Sequence, residues 1–288
     1  MRATIEATPN IAFVKYWGKR DDRLFLPQNS SISATMDHTL TTRTSVVFGD
    51  FKSDRMFLDG EEADEKTLRT VQRILDLCRQ KAGTTDKAHV ASVNEFPTAA
   101  GFASSAAGMA ALTVAACKAL SLDLSAKEVS IIARQGSGSA TRSIQGGFVE
   151  WLSGHKRDGS DSFGQQLFDE THWPGLKNVI AICAPEKKKV SSRAGMKQTV
   201  QTSGLYQKRL HDLDHTLRVV RNAIAKRDGP SLYEAIMRES LNMHAVMLDT
   251  WPPIAYLNDT SRRIIHAVLD YNGDETAKAG FTFDAGPN

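Results

Sequence analysis

Residues 94–108 combine small residues, a proline and two adjacent hydroxyls in a way that could bind phosphate; they read Asn-Glu-Phe-Pro-Thr-Ala-Ala-Gly-Phe-Ala-Ser-Ser-Ala-Ala-Gly. Small side chains let a phosphate approach the backbone, and a helix N-terminus offers unpaired N–H groups and a positive dipole end. Ser104 and Ser105 add hydroxyls suited to phosphate oxygens or a magnesium ion. The glycine is not followed by the Gly-Lys-Ser/Thr of a Walker A loop. The segment therefore predicts either a phosphate loop of another kind or a tightly packed helix that requires small residues.

Four other clusters also carry polar groups that could do chemistry. Residues 9–20 place Lys15 inside an apolar run, which indicates an anion site or a charge at a strand edge. Residues 136–143 combine glycines, hydroxyls and one arginine, which suits a carboxylate or phosphate but also a flexible turn. Residues 186–196 are basic, as in a mobile lid over a polyphosphate or a solvated loop. Asp284 follows an apolar stretch, where it could be catalytic or could form a turn.

One histidine pair does not favour a metal site. His211 and His215 stand four residues apart on an expected helix, as in a metalloprotease, but no glutamate follows the first histidine. The apolar face of that helix is formed by other positions, so we expect both imidazoles near its solvent edge.

The elements that must position these residues are a mixture of strands and helices. Apolar alternation and turn residues predict strands at residues 3–7, 43–48, 55–58, 89–93, 148–152, 179–183 and 281–283. Helical periodicity and capping residues predict helices at residues 65–81, 103–120, 126–135, 205–227, 230–247 and 258–271. The irregular alternation favours an α+β fold. The length of 288 residues favours two domains, with a joint near residues 175–190 and a division at 1–180 and 181–288.

Composition excludes several classes of protein. The apolar content of 41% and charged content of 24% are ordinary for a globular protein, and a net charge of +3 is too small to indicate nucleic acid as a partner. No apolar run approaches the length of roughly 20 residues that a membrane span needs, and the N-terminus lacks a signal-peptide core. The 3 cysteines match no zinc spacing, so we expect a reducing, cytoplasmic setting.

The clusters gain specificity when they are taken together and in order. Residues 10–21 read Asn-Ile-Ala-Phe-Val-Lys-Tyr-Trp-Gly-Lys-Arg-Asp, and residues 283–288 read Phe-Asp-Ala-Gly-Pro-Asn. With the segments 29–33, 96–108 and 136–143, they resemble the diphosphomevalonate decarboxylases, a family of the GHMP kinase superfamily. The resemblance spans essentially the whole chain. It implies a two-domain α+β fold of the GHMP kinase type, with an active-site cleft between the domains.

The resemblance also implies a reaction and its co-substrate. Such enzymes use ATP with Mg²⁺ to phosphorylate the tertiary 3-hydroxyl of mevalonate 5-diphosphate; loss of phosphate and CO2 then gives isopentenyl diphosphate. The family acts in the mevalonate pathway of isoprenoid and sterol biosynthesis and usually forms homodimers. A nearby carboxylate can stabilise the cation-like charge that develops at the tertiary carbon.

The family's functional residues transfer to matching positions of this sequence. The catalytic positions match Asp284, Lys15 and Arg142. The substrate-binding positions match Asn10, Tyr16, Trp17, Lys19, Ser137, Ser139, Ser192, Arg193 and Met196. The ATP-binding positions match Pro97, Ala99, Ala100, Gly101, Ala103, Ser104 and Ser105, together with a lysine of the basic segment, Lys188 or Lys189; Ser105 also matches the position that orients the metal.

The resemblance leaves alternatives open. Phe102 and Thr141 replace the family's usual residues, and the family continues past the segment 283–288 with a further strand and helix. Without these two elements, we expect the last strand to lack a neighbour. The alternatives are a relative that acts on mevalonate 5-phosphate, a mevalonate 3-kinase, and a non-catalytic binding protein weakened by a missing C-terminus. The joint presence of Asp284, Lys15 and Arg142 argues against a pure kinase, because phosphorylation alone needs no group aimed at a forming cation.

Overall fold

The computed structural model describes residues 1–95, 104–184, 189–274 and 276–288, with Ser104 described through its backbone. The strands in this part of the chain are β1 (Arg2–Ala7), β2 (Asn10–Val14), β3 (Lys19–Asp21), β4 (Leu26–Pro27), β5 (Ser31–Thr35), β6 (Thr42–Gly49), β7 (Arg55–Leu58), β8 (Glu61–Glu62), β9 (Lys87–Asn94), β10 (Phe148–Trp151) and β11 (Gly164–Phe168). The α-helices are α1 (Glu65–Ala82), α2 (Ser104–Ala119), α3 (Ala126–Arg134), α4 (Ser192–Thr202), α5 (Tyr206–Lys226), α6 (Gly229–Leu248) and α7 (Asp259–Asn272), and a 3-10 helix spans Gly138–Ser143.

The strands form two main sheets and one small ribbon. The first sheet has the order β1-β6-β9-β7-β8, and only its β7–β9 pair is parallel. The second sheet is antiparallel, with the order β11-β10-β5-β2. Strands β3 and β4 pair as a ribbon directly after the segment that carries Lys15. Strand β2 thus lies at an edge of the second sheet, and its C-terminal end leads into the candidate site.

Helices α1 and α2 cover one face of the first sheet. Residues of β6 alternate between buried and more exposed positions, which is the period of a strand with one face in the core. Helix α2 presents small residues, which let a helix lie close to a sheet; the buried ones are Ala106, Ala107, Ala110, Ala111, Ala115, Ala116 and Ala119. This close packing fixes the N-terminal turn of α2, which begins directly after the predicted phosphate loop in the sequence.

The second sheet shares its core with two long helices from the C-terminal half. Phe13, Val14, Ile32 and Phe148 of the sheet pack with apolar residues of α5 and α6, among them Leu213. The burial of these side chains ties the N-terminal strands to the C-terminal helices. The catalytic candidates at the end of β2 therefore lie where the two halves of the chain meet.

Most predicted elements are confirmed. The helices start and end within about two residues of their predicted bounds. Ser125 and Glu128 form the expected capping box at the start of α3, and Gly83 ends α1 in the left-handed conformation. The irregular mixture confirms the α+β fold class. The structure adds helix α4 and the strands β3, β4, β5, β8 and β11, which the sequence patterns do not predict.

Two segments that were predicted to be strands are not strands in the structure. Residues 179–183 are irregular: Val179 is 89% exposed, and the N–H groups of Cys183 and Ala184 donate to Asn288 Oδ1 instead of to a strand. Residues 281–283 are extended but belong to no sheet; the Phe283 N–H donates to the Ser240 hydroxyl. In both places apolar residues suggested a strand, but no neighbouring strand in the described chain supplies the ladder that a strand needs.

No α-helix among the described residues is both long enough and apolar enough to cross a membrane.

Candidate active site

The centre of the candidate site is an ion pair between Lys15 and Asp284. Lys15 follows β2 directly, its side chain is 2% exposed, and its Nζ donates to Asp284 Oδ1 at 2.7 Å. The Asp284 side chain is 47% exposed, so one side of the pair remains open to a ligand. The Lys15 backbone N–H donates to Glu239 Oε1 of α6 at 2.9 Å, which fixes the end of β2. The pair therefore places a proton acceptor, Asp284, beside a cation, Lys15, at a position that a ligand can reach.

Arg142 is the second buried cation, and it bonds to neutral groups. Its guanidinium donates to Ser31 Oγ at 2.6 Å, Ser33 Oγ at 3.1 Å and Asn10 Oδ1 at 3.3 Å. Burial lowers the pKa of Arg142 to about 10, while the charge of Asp284 acts in the opposite direction. No carboxylate of the described residues lies within ion-pair distance of this guanidinium. A buried cation with only neutral partners is suited to bind an anionic ligand.

The 3-10 helix holds the polar groups around Arg142. Asn10 Nδ2 donates to the Ser139 carbonyl at 3.1 Å and to Ser143 Oγ at 2.8 Å. The hydroxyls of Ser137 and Ser139 lie 3.2 Å apart. A side chain at Gly138 would lie 2.7 Å from the Trp151 ring, so this position requires glycine. The predicted substrate-binding loop is therefore held rigidly beside the cation.

Tyr16 places an unbonded hydroxyl inside the same region. Its ring packs edge-on against Trp151 with centroids 4.7 Å apart. The hydroxyl is buried and has no hydrogen-bond partner among the described residues. Burial is the main cause that raises the pKa of this phenol, so the hydroxyl stays protonated and can donate. A buried donor without a partner is suited to contact a bound ligand.

Three cations surround the ring of Phe25, and we call them the Phe25 cluster. Lys19 Nζ lies 4.5 Å, the Arg193 guanidinium 5.2 Å and the Arg73 guanidinium 5.3 Å from the ring centroid. Burial and the neighbouring charges of Arg23 and Arg193 lower the pKa of Arg73. Lys19 and Arg193 also line a cleft of about 140 Å³ together with Met196. Asp22 also lines this cleft and pairs with Lys19 at 2.9 Å. The positive charge of Lys19, Arg193 and Lys197 exceeds that of this one carboxylate, which favours an anionic ligand.

Trp17 supports this region from the core. Its indole N–H donates to Thr199 Oγ1 at 3.0 Å, and its carbonyl accepts from the Tyr206 hydroxyl at 2.6 Å. Met196 packs in the same apolar cluster. The family resemblance placed Trp17 among the substrate-binding residues. In the structure its indole N–H is already hydrogen-bonded to Thr199, so Trp17 supports the turn at Gly18 from within the core.

The predicted ATP-binding residues fall largely outside the described part of the chain. Pro97, Ala99, Ala100, Gly101, Ala103 and Lys188 lie there, and Ser104 is described through its backbone as the first residue of α2. Ser105 is exposed in the first turn of α2, and Lys189 is exposed before α4. The exposed hydroxyl of Ser105 at a helix N-terminus suits a phosphate oxygen or a phosphate-bound magnesium ion.

The basic segment 186–196 is partly a helix. Ser191 caps α4, whose first residues are Ser192 and Arg193, and the Arg193 guanidinium donates to the Gly136 carbonyl at 2.8 Å. The alternative of a solvated loop is therefore wrong from Ser192 onward, and the alternative of a basic lid stays a prediction. His211 and His215 are exposed on α5 as expected. No group of three or more potential metal-ligating side chains occurs in the residues that the structure describes.

Five residues that contact the site were not predicted from the sequence: Ser31, Ser33, Arg73, Glu239 and His244. Ser31 and Ser33 belong to the segment 29–33, which contributes to the family resemblance. Their position in that segment is the sequence signal that could have identified them. The other three lie on α1 and α6, far along the chain from the residues that they contact. Helical periodicity alone does not say which neighbour a polar side chain will meet.

Two family models cover most of the chain. One, described as a diphosphomevalonate decarboxylase-like N-terminal domain, matches residues 7–164. The other, described as a mevalonate 5-diphosphate decarboxylase C-terminal domain, matches residues 178–288. With the two sheets, the Ala-rich helix and the buried cations, they define a two-domain α+β protein of the GHMP kinase type. The chain belongs to the diphosphomevalonate decarboxylase family.

Individual relatives agree with this assignment. The diphosphomevalonate decarboxylase of Homo sapiens is 43% identical over 302 residues, which are 99% of this chain and 75% of that protein. The structure of MDDEF in complex with MVAPP, AMPPCP and magnesium is 40% identical, with a TM-score of 0.87, and the match covers 100% of this chain and 87% of that one. The mevalonate diphosphate decarboxylase from Trypanosoma brucei is 38% identical, with a TM-score of 0.90 and coverage of 99% and 78%.

Proposed function

We propose that this protein catalyses the ATP-dependent decarboxylation of mevalonate 5-diphosphate to isopentenyl diphosphate, with ADP, phosphate and CO2 as the other products. The observation that carries the proposal is the position of Arg142, a buried cation with neutral partners in the electrostatic field of the Lys15–Asp284 pair. A substrate that carries both a carboxylate and a reacting hydroxyl matches these two features. Family membership supports the same reaction.

The reaction requires that a tertiary hydroxyl become a leaving group. Transfer of the γ-phosphoryl group of ATP to the 3-oxygen makes it one, while the hydroxyl proton passes by way of Asp284 to the phosphate, so that Asp284 is again a carboxylate when that phosphate leaves. Departure of phosphate leaves cation-like charge at carbon 3, and the electron pair of the bond to the carboxylate forms the double bond as CO2 leaves. Asp284 faces the open side of the pair, where a carboxylate stabilises that positive charge. Lys15 holds Asp284 in place and neutralises part of its charge.

Arg142 binds the carboxylate that is lost as CO2. Its three hydrogen bonds to Ser31, Ser33 and Asn10 fix the plane of the guanidinium before the substrate arrives. Such preorganisation removes reorganisation from the reaction itself. Asn10 also bonds to Ser139 and Ser143, so it links the cation to the polar loop.

The Phe25 cluster binds the remote diphosphate. Lys19, Arg73 and Arg193 supply the positive charge, and Tyr16 supplies a hydroxyl donor. Ser192, at the first turn of α4, completes the site from the side of the helix N-terminus. These contacts are remote from the reacting carbon, so they anchor the substrate and contribute little that is specific to the transition state.

The phosphates of ATP bind at the start of α2, with the magnesium ion near the hydroxyl of Ser105. A helix N-terminus offers backbone N–H groups that have no partner within the helix and that can donate to phosphate oxygens. The segment 97–104 and a lysine of the pair 188–189 complete the nucleotide site. The complex of MDDEF with AMPPCP and magnesium supports this co-substrate and ion.

The proposal extends to the domain division, the oligomeric state and the compartment of the enzyme. The chain divides into domains at residues 1–180 and 181–288, as the ranges of the two family models support. It works as a homodimer in the cytoplasm, in the pathway of isoprenoid and sterol biosynthesis. The free thiols of Cys78 and Cys117, 3.8 Å apart, fit a reducing compartment.

Product analysis tests the proposal directly. Purified protein is incubated with ATP and Mg²⁺ and, separately, with mevalonate 5-diphosphate, mevalonate 5-phosphate or mevalonate; ADP, phosphate, CO2 and the organic product are measured. We expect CO2 and isopentenyl diphosphate with the diphosphate, in a 1:1 ratio to ADP. Turnover only with the monophosphate, ADP without CO2, or no reaction with any substrate would each contradict the proposal.

A further inference from the structure

The pairing of strand β2 with β5 ends at Val14, one residue before Lys15. Buried side chains bind the main chain of Lys15 where this pairing stops. Glu239 Oε1 accepts the Lys15 N–H at 2.9 Å, and Asn29 Nδ2 donates to the Lys15 carbonyl at 3.0 Å. The main chain from which the lysine side chain projects is therefore held on both sides by side chains and not by a neighbouring strand.

The acceptor of the Lys15 N–H is itself fixed by a buried ion pair. Arg209 of α5 donates to both oxygens of Glu239, from Nη2 to Oε1 at 2.6 Å and from Nη1 to Oε2 at 3.0 Å. The Arg209 and Glu239 side chains are 0% and 2% exposed. Two parallel hydrogen bonds set the plane of the carboxylate as well as compensating its charge. Because apolar residues of similar size often stabilise a core as well as such a pair does, stability alone does not account for it.

The next residue of α6 holds the segment that carries the carboxylate. Ser240 Oγ accepts the N–H of Phe283 at 2.8 Å, in a buried contact directly before Asp284. Glu239 and Ser240 are consecutive in the sequence, whereas Lys15 and Asp284 lie near opposite ends of the chain. Two adjacent residues of one helix therefore determine how the two main-chain segments of the ion pair lie relative to each other.

We propose that Glu239 and Ser240 are positioning residues for decarboxylation: by holding the main chain at Lys15 and Phe283, they place the Lys15 ammonium group against the Asp284 carboxylate and direct that carboxylate toward the substrate. This inference rests on the proposed function. A lysine side chain is long and flexible, so its ammonium group reaches a defined point only when its main chain is fixed. The Asp284 side chain is 47% exposed, so packing alone does not determine its position.

Two matched double variants separate the hydrogen bond to Lys15 from the ion pair. Arg209→Met with Glu239→Gln removes both charges but keeps an oxygen that can accept the Lys15 N–H; this is the acceptor-retaining variant. Arg209→Met with Glu239→Met removes the charges and the acceptor at similar side-chain length; this is the acceptor-free variant. We expect kcat of the acceptor-free variant to be lower on the order of tenfold or more, because small displacements of a reacting group have effects of this size. KM for mevalonate 5-diphosphate should be similar in the two.

A single substitution tests the contact to the C-terminal segment. Ser240→Ala removes the acceptor of the Phe283 N–H with a small change in volume. We expect kcat to fall several-fold while KM for mevalonate 5-diphosphate changes little, because the remote diphosphate contacts are untouched. Unchanged kcat in a folded Ser240→Ala enzyme, or a rise in KM without a fall in kcat, would overturn the role of Ser240.

A buried ion pair of the same construction lies beside the first sheet and provides the control. Arg79 donates to both oxygens of Asp54, and Asp54 Oδ1 also accepts the Ala88 N–H of β9 at 2.8 Å. Arg79→Met with Asp54→Asn and Arg79→Met with Asp54→Leu remove the corresponding groups away from the site. These two variants should differ in thermal stability but not in kcat. Equal kcat in the two Glu239 double variants, or the same difference in kcat between the two control variants, would overturn the proposal.

Amide hydrogen exchange of the full chain tests the Lys15 contact without turnover. The Lys15 N–H should exchange slowly in the unmodified chain and in the acceptor-retaining variant, and on the order of tenfold faster in the acceptor-free variant, because exchange reports local opening of a hydrogen bond. Equal protection in all three proteins would show that Glu239 does not hold Lys15 and would overturn the proposal. An unmodified chain that releases no CO2 contradicts the proposed function instead, and the exchange rates then still decide whether Glu239 holds the Lys15 main chain.

Discussion

The two buried cations of the site differ in what they bond to, and this difference separates their roles. Lys15 already has Asp284 as a charged partner, whereas Arg142 has hydroxyl and amide oxygens. Since burying a charge is unfavourable unless an opposite charge compensates it, the Arg142 site gains most from a ligand carboxylate. Lys15 instead determines the position and the charge of the Asp284 group.

Arg142 and Lys19 should therefore respond differently to truncation. Arg142→Ala removes the group that holds the reacting carboxylate, so kcat should fall by about 10²-fold or more. Lys19→Ala removes one charge of the remote diphosphate site, so it should mainly raise KM for the substrate. Steady-state kinetics of both variants check this. Equal effects on kcat and KM in the two variants would contradict the assignment.

Asp284 is tested by a substitution that keeps its shape. Asp284→Asn retains the size and much of the hydrogen bonding but removes the charge, so we expect kcat to fall by roughly 10³-fold. Nucleotide binding, measured by fluorescence titration with an ATP analogue, should persist. Asp284→Glu, which moves the charge by one methylene, should also be slow, because a displacement of about 1 Å can cost roughly 10²-fold.

Near-normal turnover of the Asp284→Asn variant would support a structural role for Asp284 instead. Asparagine forms turns as well as aspartate does. A folded Asp284→Asn enzyme with near-normal turnover would therefore assign Asp284 to the turn before Pro287 and remove it from the mechanism.

Sequence reasoning identified the charged residues of the site but not their supports. Lys15 and Asp284 were both predicted as catalytic residues from the family resemblance, and the structure places their charged atoms 2.7 Å apart. Arg73 and His244 were not predicted, because their role depends on which side chains the folded chain brings to them. A lysine inside an apolar run is conspicuous in a sequence, whereas a histidine on a buried helix face is not.

At the scale of elements, the turn after Trp17 decides how the diphosphate site is built. Gly18 has a φ of +111°, and a Cβ there would lie 1.8 Å from the Tyr206 hydroxyl oxygen. Both facts require glycine, and both depend on α5, which carries Tyr206. The short ribbon of β3 and β4 begins at the next residue, Lys19. The position of Lys19 thus depends on this close approach.

Gly18→Ala should therefore damage both stability and binding. We expect a loss of about 2 kcal/mol or more in the free energy of unfolding, because the methyl group is both strained and overpacked. KM for mevalonate 5-diphosphate should rise as Tyr16 and Lys19 are displaced. Urea unfolding and steady-state kinetics measure the two effects.

A second glycine provides the control. Gly108 lies inside α2, and outside that helix a Cβ there would meet no atom of the described residues within 4 Å. Gly108→Ala should stabilise the chain by up to about 1 kcal/mol, since alanine is the better helix former. If both substitutions changed stability alike, the steric account of Gly18 would be wrong.

The predicted helices are confirmed because local sequence patterns are enough to define a helix. Two predicted strands are wrong because a strand also requires a neighbouring strand. Capping boxes and 3.6-residue periodicity located α1, α3 and α5–α7, because helices satisfy their hydrogen bonds locally. Residues 179–183 and 281–283 look like strands by composition, but a strand exists only where another strand pairs with it. Phe281 and Phe283 are buried against Met237 of α6 without any ladder.

At the scale of the whole molecule, the site lies where strands from the first half meet helices from the second half. Lys15 directly follows strand β2, the 3-10 helix contributes Arg142, and the C-terminal segment contributes Asp284. The apolar cluster that joins the second sheet to α5 and α6 lies beside the pair. We therefore expect that substrate, if it binds to these groups as proposed, stabilises the contact between the two halves.

His244 connects this geometry to the pH dependence of folding. Burial and the nearby charge of Lys15 lower its pKa from an ordinary value of 6.5 to about 4 in the folded protein. Below a pH of about 6.5 the unfolded chain binds a proton at this residue that the folded chain does not, so acidification favours unfolding. The contribution is fully present above the ordinary pKa and is lost as the pH falls toward the folded value.

The stability of the wild type should consequently fall more steeply with acid than that of His244→Asn. Between pH 7.5 and 4, the wild type should lose up to about 3 kcal/mol more than the variant in the free energy of unfolding, since one unit of pKa difference corresponds to about 1.4 kcal/mol. Urea unfolding at several pH values measures this. The remaining titrating groups are present in both proteins and largely cancel in the comparison. Leu232→Ala, at a fully buried position of α6, should be less stable than the wild type by a constant amount across the range, because it changes no titrating group. Parallel curves for the wild type and His244→Asn would mean that His244 already titrates normally in the folded protein, and hence that neither burial nor Lys15 keeps its ring neutral.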